Sequence, residues 1–388
     1  MSKSRTLYLD HAATSYPKPD AVRRAILGCM EEAGGNPGRG SHRLSLAAAR
    51  EVYACRTCAA EMFGTAPERV IFTLNATHAL NMAIKGIMRG GGHALCSDIE
   101  HNAVLRPLYR LAQDKIIEFG LFSSFPLLQS GREDAIMASL AAAIKSNTRM
   151  VVCTHASNIC SAHMPIRRIG AFCHRHNILF VVDASQSAGG VEIDMERDHI
   201  DALCMPGHKG LLGPQGTGML LLGSRLASGN LLDTLMEGGN GVDSLSPLMS
   251  DEIPERYEAG TPASASIAGL RAGLEIIRSL GETAIGEHEA ALAARIRDGL
   301  LDIPRITIYA PAHKGAIVLF SVEGSDSEAV AAALDGQGVC VRPGFHCSAL
   351  GHRALGTPAG GAVRASVGYC TTERDVEAFL RSLKKVLH

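Results

Sequence analysis

The chain has 388 residues, 46% hydrophobic and 20% charged, and its 38 Lys and Arg against 39 Asp and Glu give a formal net charge of −1. Charge of both signs spread along the sequence leaves no basic footprint for nucleic acid or a membrane surface, and no run approaches the roughly 20 apolar residues of a membrane span. Eleven scattered cysteines without zinc-finger spacing read as reduced, mostly buried thiols, and MSKSRTLYLDHAAT lacks the apolar core of a secretory leader, so a cytoplasmic protein is expected.

In chain order, Leu7 to Asp10 reads as a short strand running into the loop His11–Pro17, where the small Ala12 and Ala13 leave room for a ligand. Helix signals follow at about 19–33 and, with Ser45 as N-cap, from 45 to a stop at Gly64. The turn-forming stretch between them carries Arg39, His42 and Arg43, either anion contacts or simply exposed. A strand at Arg69–Thr73 leads into a helix opening near Ala76 and Thr77. Free N–H groups and the helix dipole make that start an anion site, with a plain N-cap as the alternative.

The strand His93–Ser97 runs into Glu100-His101-Asn102 and a helix through Leu111. Strands at 115–119 and 149–154 flank a helix at 132–144, and the second strand ends in His155-Ala-Ser-Asn158. In the helix Ile166–His176, the Cys173-His174-x-His176 run reads as structural rather than as a zinc site, so no metal is expected. The apolar run Ile178–Val182 stops at Asp183, and Ala202–Met205 delivers Pro206-Gly-His208-Lys209. Apolar strands alternating with helices predict an α/β fold with a mostly parallel sheet covered on both faces. Two strand ends then present an acid and an amine to one crevice.

After Gly218–Leu222 the pattern loosens through the glycine-rich loop Glu237–Asp243 and Tyr257-Glu-Ala-Gly-Thr261-Pro. Helices at 263–279 and 282–301, strands at 305–309, 315–322 and 338–342, a helix from Asp326 and a last helix opened by the capping-box pattern Thr372-Glu-Arg-Asp375 read as a smaller α+β unit. The expected division is a large domain over 18–255 and a small one over 1–17 and 256–388.

A buried carboxylate beside a lysine is the pairing pyridoxal 5'-phosphate requires: an amine for a Schiff base and an acid to keep the pyridine nitrogen protonated. The amine must be neutral to react, so the site should lower its pKa from about 10.4 towards roughly 7 to 8 by burial and a neighbouring cation, for which His208 is the candidate. A second reactive group, Cys347, lies between Arg342 and His352, where Arg342 and His346 are expected as cations that raise its thiolate fraction. Gly344 and Gly351 are read as giving that loop mobility.

The pattern D-A-S-Q, then G-H-K and G-P-x-G-x-G, resembles the signature of class V aminotransferase-like, fold-type I pyridoxal phosphate enzymes. R-x-G-x-H-C and the following GAVRASVGYCTT resemble the carboxyl domain of type II cysteine desulfurases. The resemblance spans nearly the whole chain. It implies that Lys209 carries the cofactor, that Asp183 meets the ring nitrogen and Gln186 the ring hydroxyl, and that Thr77 and His208, with Ala76 beside them, face the phosphate. His101 would stack on the ring and relay protons, Asn158 would lie near ring and substrate carboxylate, and Arg364 would pair with that carboxylate. Arg342 and Ala13 complete the implied substrate contacts. Thr261 would reach the phosphate of a neighbouring subunit, which implies a homodimer.

Cys347 would take sulfur from L-cysteine, leaving L-alanine and an enzyme persulfide for a sulfur-acceptor protein; L-selenocysteine is a second implied substrate. Three departures stand out: Pro206 where Ser or Thr is usual, Ala76 where a hydroxyl is usual, and Ser-Ala-Leu-Gly-His352-Arg after Cys347 in place of A-x-P. A selenocysteine lyase or other β-eliminase would keep Lys209 and demote Cys347. A binding or scaffold protein without catalysis would explain Pro206 and Ala76.

Overall fold

The computed structural model describes residues 6–38, 40–124 and 132–387, so Arg39 lies outside the described residues. In chain order the strands are Leu7–Tyr8 (β1), Val70–Thr73 (β2), His93–Ser97 (β3), Glu118–Phe122 (β4), Thr148–Thr154 (β5), Leu179–Asp183 (β6), Ala202–Pro206 (β7), Gly218–Leu222 (β8), Ile306–Tyr309 (β9), Ile317–Val322 (β10), Val339–Cys340 (β11) and Val363–Ser366 (β12). Seven of them form one sheet in the order β2-β8-β7-β6-β5-β3-β4. The pairs from β7 through β6, β5 and β3 to β4 are parallel, while β8 runs antiparallel to both β7 and β2.

The continuous apolar runs follow from this layering, because alternate residues of one strand serve opposite faces. In β6, Phe180 and Val182 enter one core and Leu179 and Val181 the other. The helix Ser264–Leu280 gives Ile267, Leu270, Leu274 and Ile277 to the first of these cores, beside Leu211 and Leu212 just after the lysine. Cys55 and Cys58 are buried there as well. A third core gathers Leu9, Leu292, Phe320, Val363 and Phe379 around the antiparallel sheet β12-β10-β9 and the parallel pair β1-β11. Among the described residues no helix is long and apolar enough to cross a membrane.

Two local expectations change, each for a physical reason. The helix Arg43–Phe63 is capped by His42, whose Nδ1 accepts the Ser45 N–H at 3.3 Å, because the Ser45 hydroxyl instead donates to the Asn36 carbonyl at 2.6 Å. The edge strand β4 starts at Glu118 rather than 115, since Lys115 takes the left-handed φ of 57° that closes the preceding helix.

Parallel strands all end at the same edge, so β3, β5, β6 and β7 deliver the segments after Ser97, Thr154, Asp183 and Pro206 to one place. β8 passes tightly beneath the turn that opens the helix Ala76–Met88: a Cβ on Gly218 would lie 2.7 Å from Asn75 backbone atoms. Gly218→Ala is therefore expected to destabilise the fold by about 1–3 kcal/mol, read as a lower urea midpoint at unchanged slope.

Candidate active site

Ala76, Thr77, His101, Asn158, Asp183, Gln186, Pro206, His208 and Lys209 line one cleft of about 90 Å³ at that edge. Asp183 ends β6, in register with Thr154 of β5 and Cys204 of β7, and is buried. Its Oδ1 accepts the Ser185 backbone N–H at 2.9 Å and the Ser185 hydroxyl, which leaves Oδ2 for the cleft. Gln186, three residues after Asp183, donates its Nε2 to the Ala12 carbonyl at 2.9 Å.

Lys209 follows β7 by a short turn and has its pKa brought down to about 8, chiefly by burial. Asp183 opposes that shift, while Arg364 and Arg342 add to it. His208 does not supply the expected cation. Burial first, then Lys209 and Lys18, pull its own pKa down to about 4, so the imidazole is neutral at pH 7.

The segment Thr14–Lys18 clamps the backbone next to the lysine. The His208 carbonyl accepts from the Ser15 N–H at 2.9 Å, the Ser15 hydroxyl at 3.1 Å and Lys18 Nζ at 2.8 Å, while Thr14 Oγ1 lies 3.1 Å from His208 Nδ1. Pro206 ends its strand opposite Gly218, and Asn75 rather than Thr77 caps the helix, accepting the His78 N–H at 2.9 Å. Ala76 and Thr77 thus occupy the first helical turn, whose N–H groups have no intrahelical acceptor.

His101 caps the helix Asn102–Gln113 by accepting the Ala103 N–H on Nδ1 at 3.0 Å. That bond places the ring proton on Nε2. Burial, opposed by Asp183, lowers its pKa, so at rest His101 is a neutral hydrogen-bond donor. The neighbouring Glu100 is fully buried, pushed up to about 8 by burial, and accepts the Thr154 N–H at 2.8 Å and the Ser97 hydroxyl, tying β3 to β5.

Arg342 and Arg364 face each other across an antiparallel bridge, and Asp10 lies between them. Arg342 donates to Asp10 Oδ2 through Nε at 3.0 Å and a terminal nitrogen at 2.8 Å, and its Nε also lies 3.2 Å from Oδ1. Arg364 gives one terminal nitrogen to Asp10 at 3.0 Å and the other to the Asn158 carbonyl at 2.9 Å, and its buried Nε has no partner. Asn158 in turn donates to the His346 carbonyl at 2.7 Å. Ala13 closes the turn after Asp10, its N–H on the Asp10 carbonyl at 3.0 Å.

Cys347 is exposed and lies outside the cleft lining, but its carbonyl accepts the Asn102 N–H at 2.8 Å, so its loop is docked on the helix that His101 caps. His346 and Cys347 both have left-handed φ, 51° and 56°, a conformation costing roughly 1–2 kcal/mol per residue. The expected His346 cation is absent: burial first, then Arg364, takes its pKa to about 3. Arg342 is the charge facing Cys347. Gly351 serves packing rather than mobility, since a Cβ there would lie 2.7 Å from Ile159 Cδ1.

Thr261 is exposed beside Asn36 at 3.4 Å and does not reach the cleft of its own chain. Its segment is anchored by Glu258, which accepts from Arg56 and from the Phe72 N–H at 2.6 Å. Sequence reasoning missed Asp10, Lys18, Asn102 and Glu100. Asp10 alone left a signal, an acid ending an apolar strand as Asp183 does.

The aminotransferase class-V family model matches residues 7–379. A probable cysteine desulfurase of Methanothermobacter thermautotrophicus is 31% identical over 98% of this chain and 94% of that relative. Among solved structures, the apo cysteine desulfurase of Thermococcus onnurineus has a TM-score of 0.88 at 29% identity, covering 98% of this chain and 94% of that one. The cysteine desulfurase CsdA of Escherichia coli has a TM-score of 0.88 at 25% identity over the same shares.

Two outcomes follow from this geometry. Reductive alkylation of Lys209 needs the neutral amine, so its rate should rise with pH about a midpoint near 8 rather than near the roughly 10.4 of a free lysine, read by mass spectrometry of the modified peptide. Asp10→Asn leaves two guanidiniums facing a neutral amide and should cost on the order of 3 kcal/mol in denaturant unfolding.

Proposed function

Because the chain belongs to the class-V aminotransferase family and groups within it with the cysteine desulfurases, we propose that it converts L-cysteine to L-alanine and leaves the sulfur on Cys347 as a persulfide. One observation carries the reading: an amine and a carboxylate, Lys209 and Asp183, meet in a single cleft whose His101 helix also receives the loop of Cys347.

The donor set fits pyridoxal 5'-phosphate. Lys209 would hold its aldehyde carbon, Asp183 Oδ2 its ring nitrogen, Gln186 its ring hydroxyl, and the helix start at Ala76 and Thr77, with His208, its phosphate. Pro206 offers no N–H there, which leaves the helix start as the main anion contact on this chain. When bound, the cofactor supplies an electrophilic carbonyl for the substrate amine and a cationic ring that stores an electron pair.

The chain's own groups supply the rest. Lys209, released by the substrate amine, moves the α-proton, with His101 Nε2–H as the proton donor on the ring side. Arg364, through its unpartnered Nε, and Asn158 orient the carboxylate. The Cys347 thiolate attacks the substrate sulfur; an S–S bond forms as the C–S bond breaks, the electron pair stays with the carbon side, and a proton completes alanine. Thr261 acts in the cleft of a second copy, making the working form a homodimer, and the persulfide passes its sulfur to an acceptor protein.

The test supplies cofactor-loaded protein with L-cysteine and quantifies alanine and persulfide on Cys347. Lys209→Ala should abolish alanine formation. Cys347→Ser should abolish it with L-cysteine but retain it with L-selenocysteine, whose weaker C–Se bond lets selenium leave as the neutral element, the electron pair staying on carbon and a proton completing alanine. Wild-type alanine formation from L-cysteine by Cys347→Ser would remove Cys347 from the reaction.

A further inference from the structure

The left-handed turn at His346 and Cys347 is held by a line of side chains that the desulfurase chemistry does not use. His346 Nε2 lies 3.0 Å from the Arg342 carbonyl, His346 Nδ1 lies 3.0 Å from His352 Nε2, and His352 Nδ1 lies 2.9 Å from Thr357 Oγ1. A carbonyl only accepts, so His346 Nε2 carries the proton and, in the neutral ring, Nδ1 accepts. His352 must then donate from Nε2, and its Nδ1 accepts the Thr357 hydroxyl. Every proton in the line is assigned by that one carbonyl.

Both histidines are at least nine-tenths buried, and burial keeps each neutral, which excludes the doubly protonated alternatives. The far end is anchored too: the Thr357 N–H bonds the His352 carbonyl at 3.2 Å where the helix Ala349–Leu355 stops at the left-handed Gly356. The line therefore spans the loop from its first residue, Arg342, to the end of its helix.

The backbone it holds faces the active site. Of the two left-handed residues, the His346 carbonyl receives Asn158 and the Cys347 carbonyl receives the Asn102 N–H beside His101. Without His352 the His346 ring would keep only its bond to the Arg342 carbonyl, leaving the left-handed pair freer to relax towards a right-handed or extended backbone and to draw the Cys347 carbonyl away from Asn102. His352 lies in the stretch where the chain departs from A-x-P.

We propose that His352 is a positioning residue for Cys347, fixing through His346 the backbone turn that presents the thiol to the substrate sulfur. The kinetic consequence rests on the desulfurase reading above; the structural consequence does not.

The experiment compares His352→Ala, His352→Gln and Thr357→Val with wild type. In cofactor-loaded protein, His352→Ala should lower kcat for L-cysteine on the order of 10- to 100-fold, the scale of a misplaced reacting group, with KM little changed and L-selenocysteine turnover within about twofold of wild type. His352→Gln, whose amide can still donate to His346, should recover most of the loss, and Thr357→Val should show a partial one. Hydrogen exchange at the Asn102 amide, measured without cofactor, should accelerate in His352→Ala and Thr357→Val and not in His352→Gln.

Equal losses on both substrates, no loss on either, or unchanged Asn102 protection would overturn the proposal. If wild type forms no alanine from L-cysteine, the desulfurase reading fails and Asn102 exchange alone decides the positioning role. If His352→Ala does not fold, Thr357→Val, which removes one hydroxyl at nearly constant volume, supplies both readouts.

Discussion

Lowering the pKa of an amine inside protein is the constraint around which this chain is arranged. An ammonium at Lys209 is disfavoured by loss of water and by the two arginines facing the site, and favoured by Asp183. Burial wins, because the desolvation of a charged group outweighs Asp183 and the more weakly acting Asp10, whose carboxylates are already hydrogen-bonded. The surroundings then avoid adding protons of their own: His208, His101, His346 and His352 are all held below their ordinary pKa. A site rich in histidine is thus nearly free of imidazolium at neutral pH, and its fixed positive charge comes from guanidinium, while burial brings Lys18, like Lys209, down to about 8.

Asp10 makes the guanidinium charge tolerable. Arg342 and Arg364 sit on paired backbone segments, where unscreened like charges would push them apart, and a single carboxylate accepts from both. The same grip sets the side chain of Arg364 so that its other terminal nitrogen reaches the Asn158 carbonyl, and Asn158 carries the link onward to the Cys347 loop. Electrostatic compensation and loop placement are one network, so the acid that neutralises the arginines also orients the segments bearing the thiol.

How much of this was legible in the sequence divides along physical lines. Strands with two buried faces announce themselves as unbroken apolar runs, and β5, β6 and β7 were readable to within a residue or two, with Asp183 and Lys209 at their ends. The antiparallel β8 was not distinguishable, because apolarity records burial and not direction. Charge states were misread for His208 and His346, since a histidine's proton depends on tertiary burial that neighbours in sequence do not reveal. Asp10, Asn102 and Glu100 escaped because their roles are set by partners 54 to 354 positions away. The reading of Ser45 as a cap failed because its hydroxyl, which as a cap would accept a backbone N–H, instead donates to the Asn36 carbonyl, and His42 takes the capping position.

The pairing of β1 with β11, and of Asp10 with Ser366, has a bearing on how the molecule is made. Synthesis runs from the amino end, so Asp10 emerges 332 positions before Arg342 and 354 before Arg364. Until they emerge, Asp10 has no guanidinium to hold and Leu9 has no core to enter. The strands of the central sheet all lie between these two regions of the sequence, whereas the Asp10 grip on both arginines has to wait until Arg364 has emerged.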